Sequence, residues 1–181
     1  MIDENNFETA TLFDEHAYTR SQAAELALNE AILRADIARS YEGFLDIFER
    51  FYADDVEVSA EDSQETIRGK TQIRPVLLKF LVPLHFMAEL AGLSISVQQS
   101  AVPRDAANQT HSAWTATFTG VSGKRCTLKW HALRRWNASR VVQEHHYDHQ
   151  QIGGPLTGDD LNSGPGLGRV RTEFSGALRR K

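Results

Sequence analysis

Between Thr110 and Ile152 apolar and polar residues alternate in three successive runs, HSAWTATFTG, KRCTLKWHALRRW and RVVQEHHYD. Val121-Ser122-Gly123 and Asn137-Ala138-Ser139 separate them. A period of two marks half-buried strands, and short polar breaks between β-prone runs mark hairpins, so three neighbouring antiparallel strands are predicted. Upstream the period lengthens. In SQAAELALNEAILRADIARSY, which begins at Ser21, Leu26, Leu33 and Ile37 together with Leu28, Ile32 and Ala35 form an apolar stripe at helical spacing. GFLDIFERFY brings Phe44, Ile47, Phe48 and Phe51 to one side of a second helix. VEVSA alternates briefly as a short strand. TQIRPVLLKFLV, from Thr71, predicts a third helix with Pro75 in its tolerant first turn and Pro83 at its close. Phe86 to Leu90 suits a helical extension, whereas LSISVQQ is β-like, which places a strand from Leu93 to Ala101. The order of elements gives an α+β layout, with the N-terminal helices packed on one face of a curved, mostly antiparallel sheet.

Composition adds bounds to this picture. With 181 residues and 41% hydrophobic content, the chain can bury one good core. Residues 1–20 carry five acids against one arginine and no sustained apolar period, the pattern of a flexible N-terminal arm. The domain is expected over residues 21–156. Beyond it, residues 157–181 are glycine-rich and poor in large apolar side chains, which predicts a disordered tail. A net charge of −4 makes nucleic acid a poor partner. No apolar run approaches the roughly 20 residues that span a bilayer, and MIDENNFETA lacks the features of a signal peptide, so neither a membrane nor secretion is expected. The single cysteine, Cys126, fits a reducing compartment, and the expected location is cytoplasmic.

The third run carries the densest chemistry. Strand periodicity puts Val142, Glu144, His146 and Asp148 on one face and Val141, Gln143, His145 and Tyr147 on the other. An unpaired buried charge costs several kcal/mol, on the order of what holds a domain together, so the face with two carboxylates and an imidazole is either wet or lines a polar pocket. His145, His146, Asp148 and His149 do not make a metal site, because alternate residues face opposite sides and zinc needs convergent ligands. GPGLG in the tail has no strand before it, and Cys126 has no nucleophile signature around it.

FYADDVEV, then IRGKTQIRP, and later WNASRVVQEHHYD with QQIGG, resemble in order and spacing the nuclear transport factor 2-like superfamily and its SnoaL-like group, over residues 22–155. The resemblance implies a cone of curved sheet wrapped over helices, with an internal pocket and often a dimer through the outer sheet face. That fold hosts many chemistries. In similar ketosteroid isomerases the catalytic groups would fall on Ala60, with Glu61 and Asp62 just beyond it, on Ala132 and on Asp36; all three expected groups are absent, so steroid isomerisation is not expected. The implied register turns Thr115, Thr117, Thr119, Leu128, Trp130, Ala132, Glu144, His146 and Asp148 toward the cavity. By likeness to SnoaL-like cyclases, Asp148 is the acid/base and His146 its assistant, with Asp36 and His85 as further candidate catalytic groups. Trp130, Glu144, Thr117 and Thr119 are the candidate substrate-binding residues. No cofactor or metal is required. Two functions stay open: a cofactor-independent lyase, isomerase or cyclase acting on a small hydrophobic carbonyl compound, and a non-catalytic domain that binds a small ligand or a protein. Trp114, Phe118, Leu133 and Tyr147, taken to point outward, suggest a homodimer through the outer sheet face.

Overall fold

In the computed structural model, which describes residues 15–63, 65–100 and 107–161 (side chains from residue 20), one mixed sheet forms the body of the molecule. The elements are α1 (Glu15–Arg34), α2 (Glu42–Phe51), β1 (Tyr52–Ala60), β2 (Ile67–Arg68), α3 (Lys70–Leu90), β3 (Gly92–Ser100), β4 (Gln109–Thr119), β5 (Arg125–Asn137) and β6 (Arg140–Ile152). The strand order is β2-β1-β6-β5-β4-β3. Every pair is antiparallel except β1 with β6, so the short strand after α2 lies parallel to the last strand. This is the expected α+β layout.

The three helices lie against one face of the sheet, called the inner face below. On β4 that face takes Thr110, Ser112, Trp114, Ala116 and Phe118, all buried, while the residues between them are half-buried on the outer face. On β5 their register partners are Arg134, Ala132, Trp130, Leu128 and Cys126, and the buried Trp136, which donates to Thr110, continues the row. Thr115, Thr117 and Thr119 therefore face outward, opposite to the implied register. Trp114 and Phe118, expected outside, are 3% and 5% exposed inside the core. Of the proposed dimer patch only Leu133 and Tyr147 lie on the outer face.

The helices also differ from expectation in two places. Of the apolar stripe predicted for the first helix, Leu28 and Ile37 are buried and Ile32 packs against the core, but Leu26 and Leu33 are 54% and 45% exposed, and the buried face of α1 is Ser21, Glu25, Leu28 and Asn29. α3 does not close at Pro83. It continues to Leu90, with Leu81, Met87 and Ala88 buried, and that packing offsets the roughly 3 kcal/mol an interior proline costs.

After β6 the chain reverses at Gly153, where φ is +86° and a Cβ would collide with the Arg125 carbonyl. Leu156 and Leu161 then pack with Met87, Ala116 and Phe118. Asp160 accepts from Ser122 Oγ (2.7 Å), Lys124 Nζ (3.1 Å) and the Thr157 backbone N–H (2.8 Å), and its carbonyl accepts from Val121 N–H. Those hydrogen bonds hold its carboxyl well below the usual range. Packed structure thus runs through Leu161, five residues past the expected domain end. Of the arm expected over residues 1–20, residues 15–20 belong instead to the start of α1, and residues 1–14, like residues 162–181 of the expected tail, lie outside the described residues.

Candidate functional site

Two bulges on β6 decide which side chains reach the interior. Opposite Arg135 and Trp136, β6 inserts Val142 between Val141 and Gln143, and opposite Lys129 to His131 it inserts an extra residue between Tyr147 and Gln150. Between the bulges the simple alternation holds, so Glu144 and His146 face inward. Outside them it fails. Asp148 has φ +52°, a left-handed conformation that aspartate tolerates better than most residues. The bulge turns its 51%-exposed carboxylate to the outer face, 3.5 Å from His131 Nε2. The predicted alignment of Asp148 with Glu144 and His146 is corrected by this local geometry.

The inner face carries a buried ionic chain. Arg134 donates from Nη1 to Glu25 Oε1 of α1 (2.6 Å) and from Nε to Glu144 Oε2 (3.0 Å). Glu25 also accepts from Thr110 Oγ1 (2.7 Å) and Ser112 Oγ, and Trp136 Nε1 donates to Thr110 Oγ1 (2.7 Å). Glu144 further accepts from the Tyr52 hydroxyl and meets Nε2 of His146. Burial opposes the charge on Glu144, but Arg134 and then His146 outweigh it, so its carboxyl stays ionised far below the ordinary range. Burial likewise opposes the charge on Arg134, yet Glu144, Tyr52 and Glu25 hold its pKa above normal. Burial, followed by the Glu144 charge, pushes the Tyr52 hydroxyl well up, which keeps it a donor. Glu144 is thus a fixed anion that cannot accept a proton near neutrality.

His146 is the exposed end of this chain. Its side chain is 26% exposed, against 6% for Glu144 beneath it. Its register partners are Ala60 on β1 and Ala132 on β5, two small residues, and the ring of His149 lies roughly parallel to it at 6.3 Å. The two alanines are the positions where the isomerase resemblance would have put carboxylates. With Nε2–H directed to Glu144, the lone pair falls on Nδ1, which has no hydrogen-bond partner among the described residues. A carboxylate that orients an accessible imidazole in this way makes a base of the free nitrogen.

Two further buried polar atoms on this face have no hydrogen-bond partner among the described residues. Ser112 gives its only proton to Glu25, so it must accept from Asn29 Nδ2 (3.0 Å), which fixes the Asn29 amide and leaves Oδ1 unpaired. The other is Trp114 Nε1, whose ring lies parallel to Trp130 at 6.0 Å. Trp130 therefore lines the inner face as expected. Thr117 instead shares a hydrogen bond with Thr127 on the outer face (3.1 Å), and Thr119 ends the same outward row. Asp36 is exposed and accepts from the Arg39 backbone N–H (3.3 Å), which makes it a turn residue. His85 donates from Nδ1 to the Ile37 carbonyl (2.7 Å) with Nε2 3.6 Å from Glu89, which ties α3 to the segment after α1. Burial pushes the Cys126 thiol up, away from a reactive thiolate.

Glu25, Asn29, Tyr52, Ser112 and Arg134 were not among the candidates read from the sequence. One signal for them exists: Arg134 interrupts the apolar row Leu128, Trp130, Ala132 and Trp136, and a buried arginine demands buried anions. A groove of about 260 Å³ touches Glu57, Ser59, Gln143 and His145 and is lined as well by Arg134 and Glu144, and one of about 380 Å³ lies at Asn108, Arg135 and Val142 beside the β5–β6 hairpin.

No protein-family model and no curated protein sequence matches the chain. Solved structures do match its fold. A proposed SnoaL-like polyketide cyclase from Jannaschia sp. CCS1 superposes with a TM-score of 0.52 at 13% identity, over 73% of this chain and 86% of that one. AclR, a proposed hydroxylase from Streptomyces galilaeus, gives 0.50 at 14% identity, over 71% and 74%. The chain has the nuclear transport factor 2-like fold, with SnoaL-like proteins among its structural neighbours.

Proposed function

We propose that this protein of nuclear transport factor 2-like fold is a cofactor-independent acid/base catalyst that moves a proton on a small hydrophobic carbonyl compound, with His146 as the acid/base. The observation that carries the reading is the Glu144–His146 pair: a buried carboxylate, permanently ionised, behind an accessible imidazole flanked by two alanines. In the forward step His146 Nδ1 takes a proton from the carbon beside the carbonyl. The resulting imidazolium, stabilised by Glu144, returns it to another atom of the same molecule in an isomerisation, or to a leaving hydroxyl in a lyase step. Trp130 supplies an apolar wall. Asn29 Oδ1 and Trp114 Nε1 offer one acceptor and one donor to a ligand that reaches them.

A second reading, binding without turnover, is favoured by one specific observation: Glu25, Arg134, Glu144 and Tyr52 satisfy one another without any ligand. Deuterium exchange separates the two. A panel of enolisable aryl ketones incubated with the protein in D2O is followed by proton NMR. Loss of α-proton signal faster than in buffer, abolished in His146→Gln, is the expected result. Binding of panel members with exchange no faster than buffer overturns the catalytic reading and leaves the binding one.

A further inference from the structure

The outer face of the sheet holds a row of titratable rings that the chemistry above does not use. His111 on β4 and His131 on β5 place Nε2 and Nδ1 2.9 Å apart. Their ring centroids are 5.0 Å apart and their planes 15° apart. Because the facing nitrogens are much closer than the centroids, the rings meet edge to edge, with the lone pair of one directed along the N–H of the other. That alignment suits a shared proton. It does not suit a metal ion, which needs donors converging from the side. The other nitrogen of His131 faces Asp148 Oδ2 at 3.5 Å. The 2.9 Å contact between His111 and His131 needs one N–H and one lone pair, so one ring donates and the other accepts.

We propose that His111, His131 and Asp148 form a proton-operated latch that pins β4 to β5 and to the β6 bulge, and that opens when the histidine pair is doubly protonated. One added proton leaves the latch shut, since whichever ring takes it, the other retains a lone pair to accept the bond. A second proton leaves no acceptor. Two N–H groups then face each other across the gap, each on a cation, and the rings must part. The groups around the pair are mixed in charge. Lys129 and Arg135 share the outer row of β5 with His131, and His145 on β6 adds a third ionisable ring to the row, 5.9 Å from Tyr147, with Nδ1 2.9 Å from Ser59 Oγ on β1. Tyr147 itself lies 5.2 Å from His131 and 5.9 Å from His111. β3 contributes only the uncharged Ser100 beside His111. Asp148 puts a carboxylate beside His131, and its own backbone N–H donates to Glu61 Oε2 (2.8 Å). Burial and the His131 charge lower the affinity of His111 for protons, partly opposed by Glu25 across the sheet. The left-handed backbone at Asp148 is what delivers its carboxylate to this face.

The experiment is a pH titration of the full chain by imidazole nitrogen–proton NMR, with amide exchange measured in parallel. His111 and His131 are expected to take up protons in two steps separated by at least about one pH unit, the signature of coupled sites. Amide exchange of β4 and β5 is expected to rise with the second step. Asp148→Asn, which alters an exposed side chain, is expected to shift the first step to lower pH, and His131→Asn to let His111 titrate in a single step. Overlapping midpoints in the unaltered chain overturn the latch, as does a second proton taken up without faster exchange. The first two measurements decide the matter even where His131→Asn does not fold.

Discussion

Arg134→Met removes the one cation that lies between Glu25 and Glu144 while keeping an unbranched side chain of comparable reach. The guanidinium spans the two carboxylates at 2.6 and 3.0 Å, and it is 3% exposed against 0% and 6% for its partners. Breaking a buried ion pair by removing one member costs roughly 3–5 kcal/mol, because the remaining charge stays buried without compensation. For a domain of this size each kcal/mol moves Tm by about 2–4 °C, which gives an expected drop of about 6–20 °C near neutral pH. The deficit should also depend on pH, and its sign can be worked out. In the unaltered chain Glu144 is held below its ordinary pKa of 4.5, so its contribution is complete above that value and fades as pH falls. In Arg134→Met the largest opposing influence is gone while His146 and Tyr52 remain, so burial counts for more and the folded pKa of Glu144 rises from its depressed position. The variant then loses less than the parent as acid is added. The two stability curves should approach each other as pH falls below about 4.5. Urea unfolding monitored by tryptophan fluorescence at several pH values measures this. A variant as stable as the parent at pH 7, or a deficit that does not change with pH, would refute the buried network as described.

Three further outcomes follow from the same geometry. Leu161→Ala should cost about 2–5 kcal/mol in urea unfolding, because Leu161 is 5% exposed against Met87 and Phe118; a silent substitution would mean the segment after β6 is not part of the core. Acid should destabilise the parent in two ranges. The lowered His111 contributes stability above the ordinary imidazole value of 6.5 that is lost as pH falls through its folded value, and Glu144 and Asp160 do the same below 4.5 and 3.8; a melting temperature flat from pH 7 to pH 3 contradicts all three. Trp114→Phe removes a buried N–H that has no partner among the described residues, so without ligand its cost should be confined to the smaller ring, about 1 kcal/mol or less; a larger loss would show that the indole N–H is satisfied in the folded state.

Periodicity carried the fold further than the site. The three-stranded meander and the second helix lie where alternation and the Phe44–Phe51 spacing place them, because one face of each is apolar and the other polar. The face of β4 could not be read that way. Thr and Ala occupy both of its rows, so the tryptophan and phenylalanine went to the wrong side. The buried stripe of α1 was hidden for a related reason: it contains Glu25 and Asn29, which look like solvent residues until Arg134 across the sheet supplies their environment. Asp148 failed on backbone grounds. A bulge has no hydrophobic signature, and one inserted residue reverses the face of all that follows. Glu144 and His146 survived because they sit between the two bulges.

The central claim is that the inner Glu144–His146 pair, and not the outward Asp148, performs the chemistry. It is tested most directly by comparing His146→Gln with Asp148→Asn in one exchange assay, on whichever ketone of the panel the unaltered protein turns over. The account predicts a rate lower by about a hundredfold or more in His146→Gln, within the 10²–10⁴ range of acid/base catalysis, and a rate within about twofold of the parent in Asp148→Asn. A collapse in Asp148→Asn with His146→Gln unaffected would contradict it.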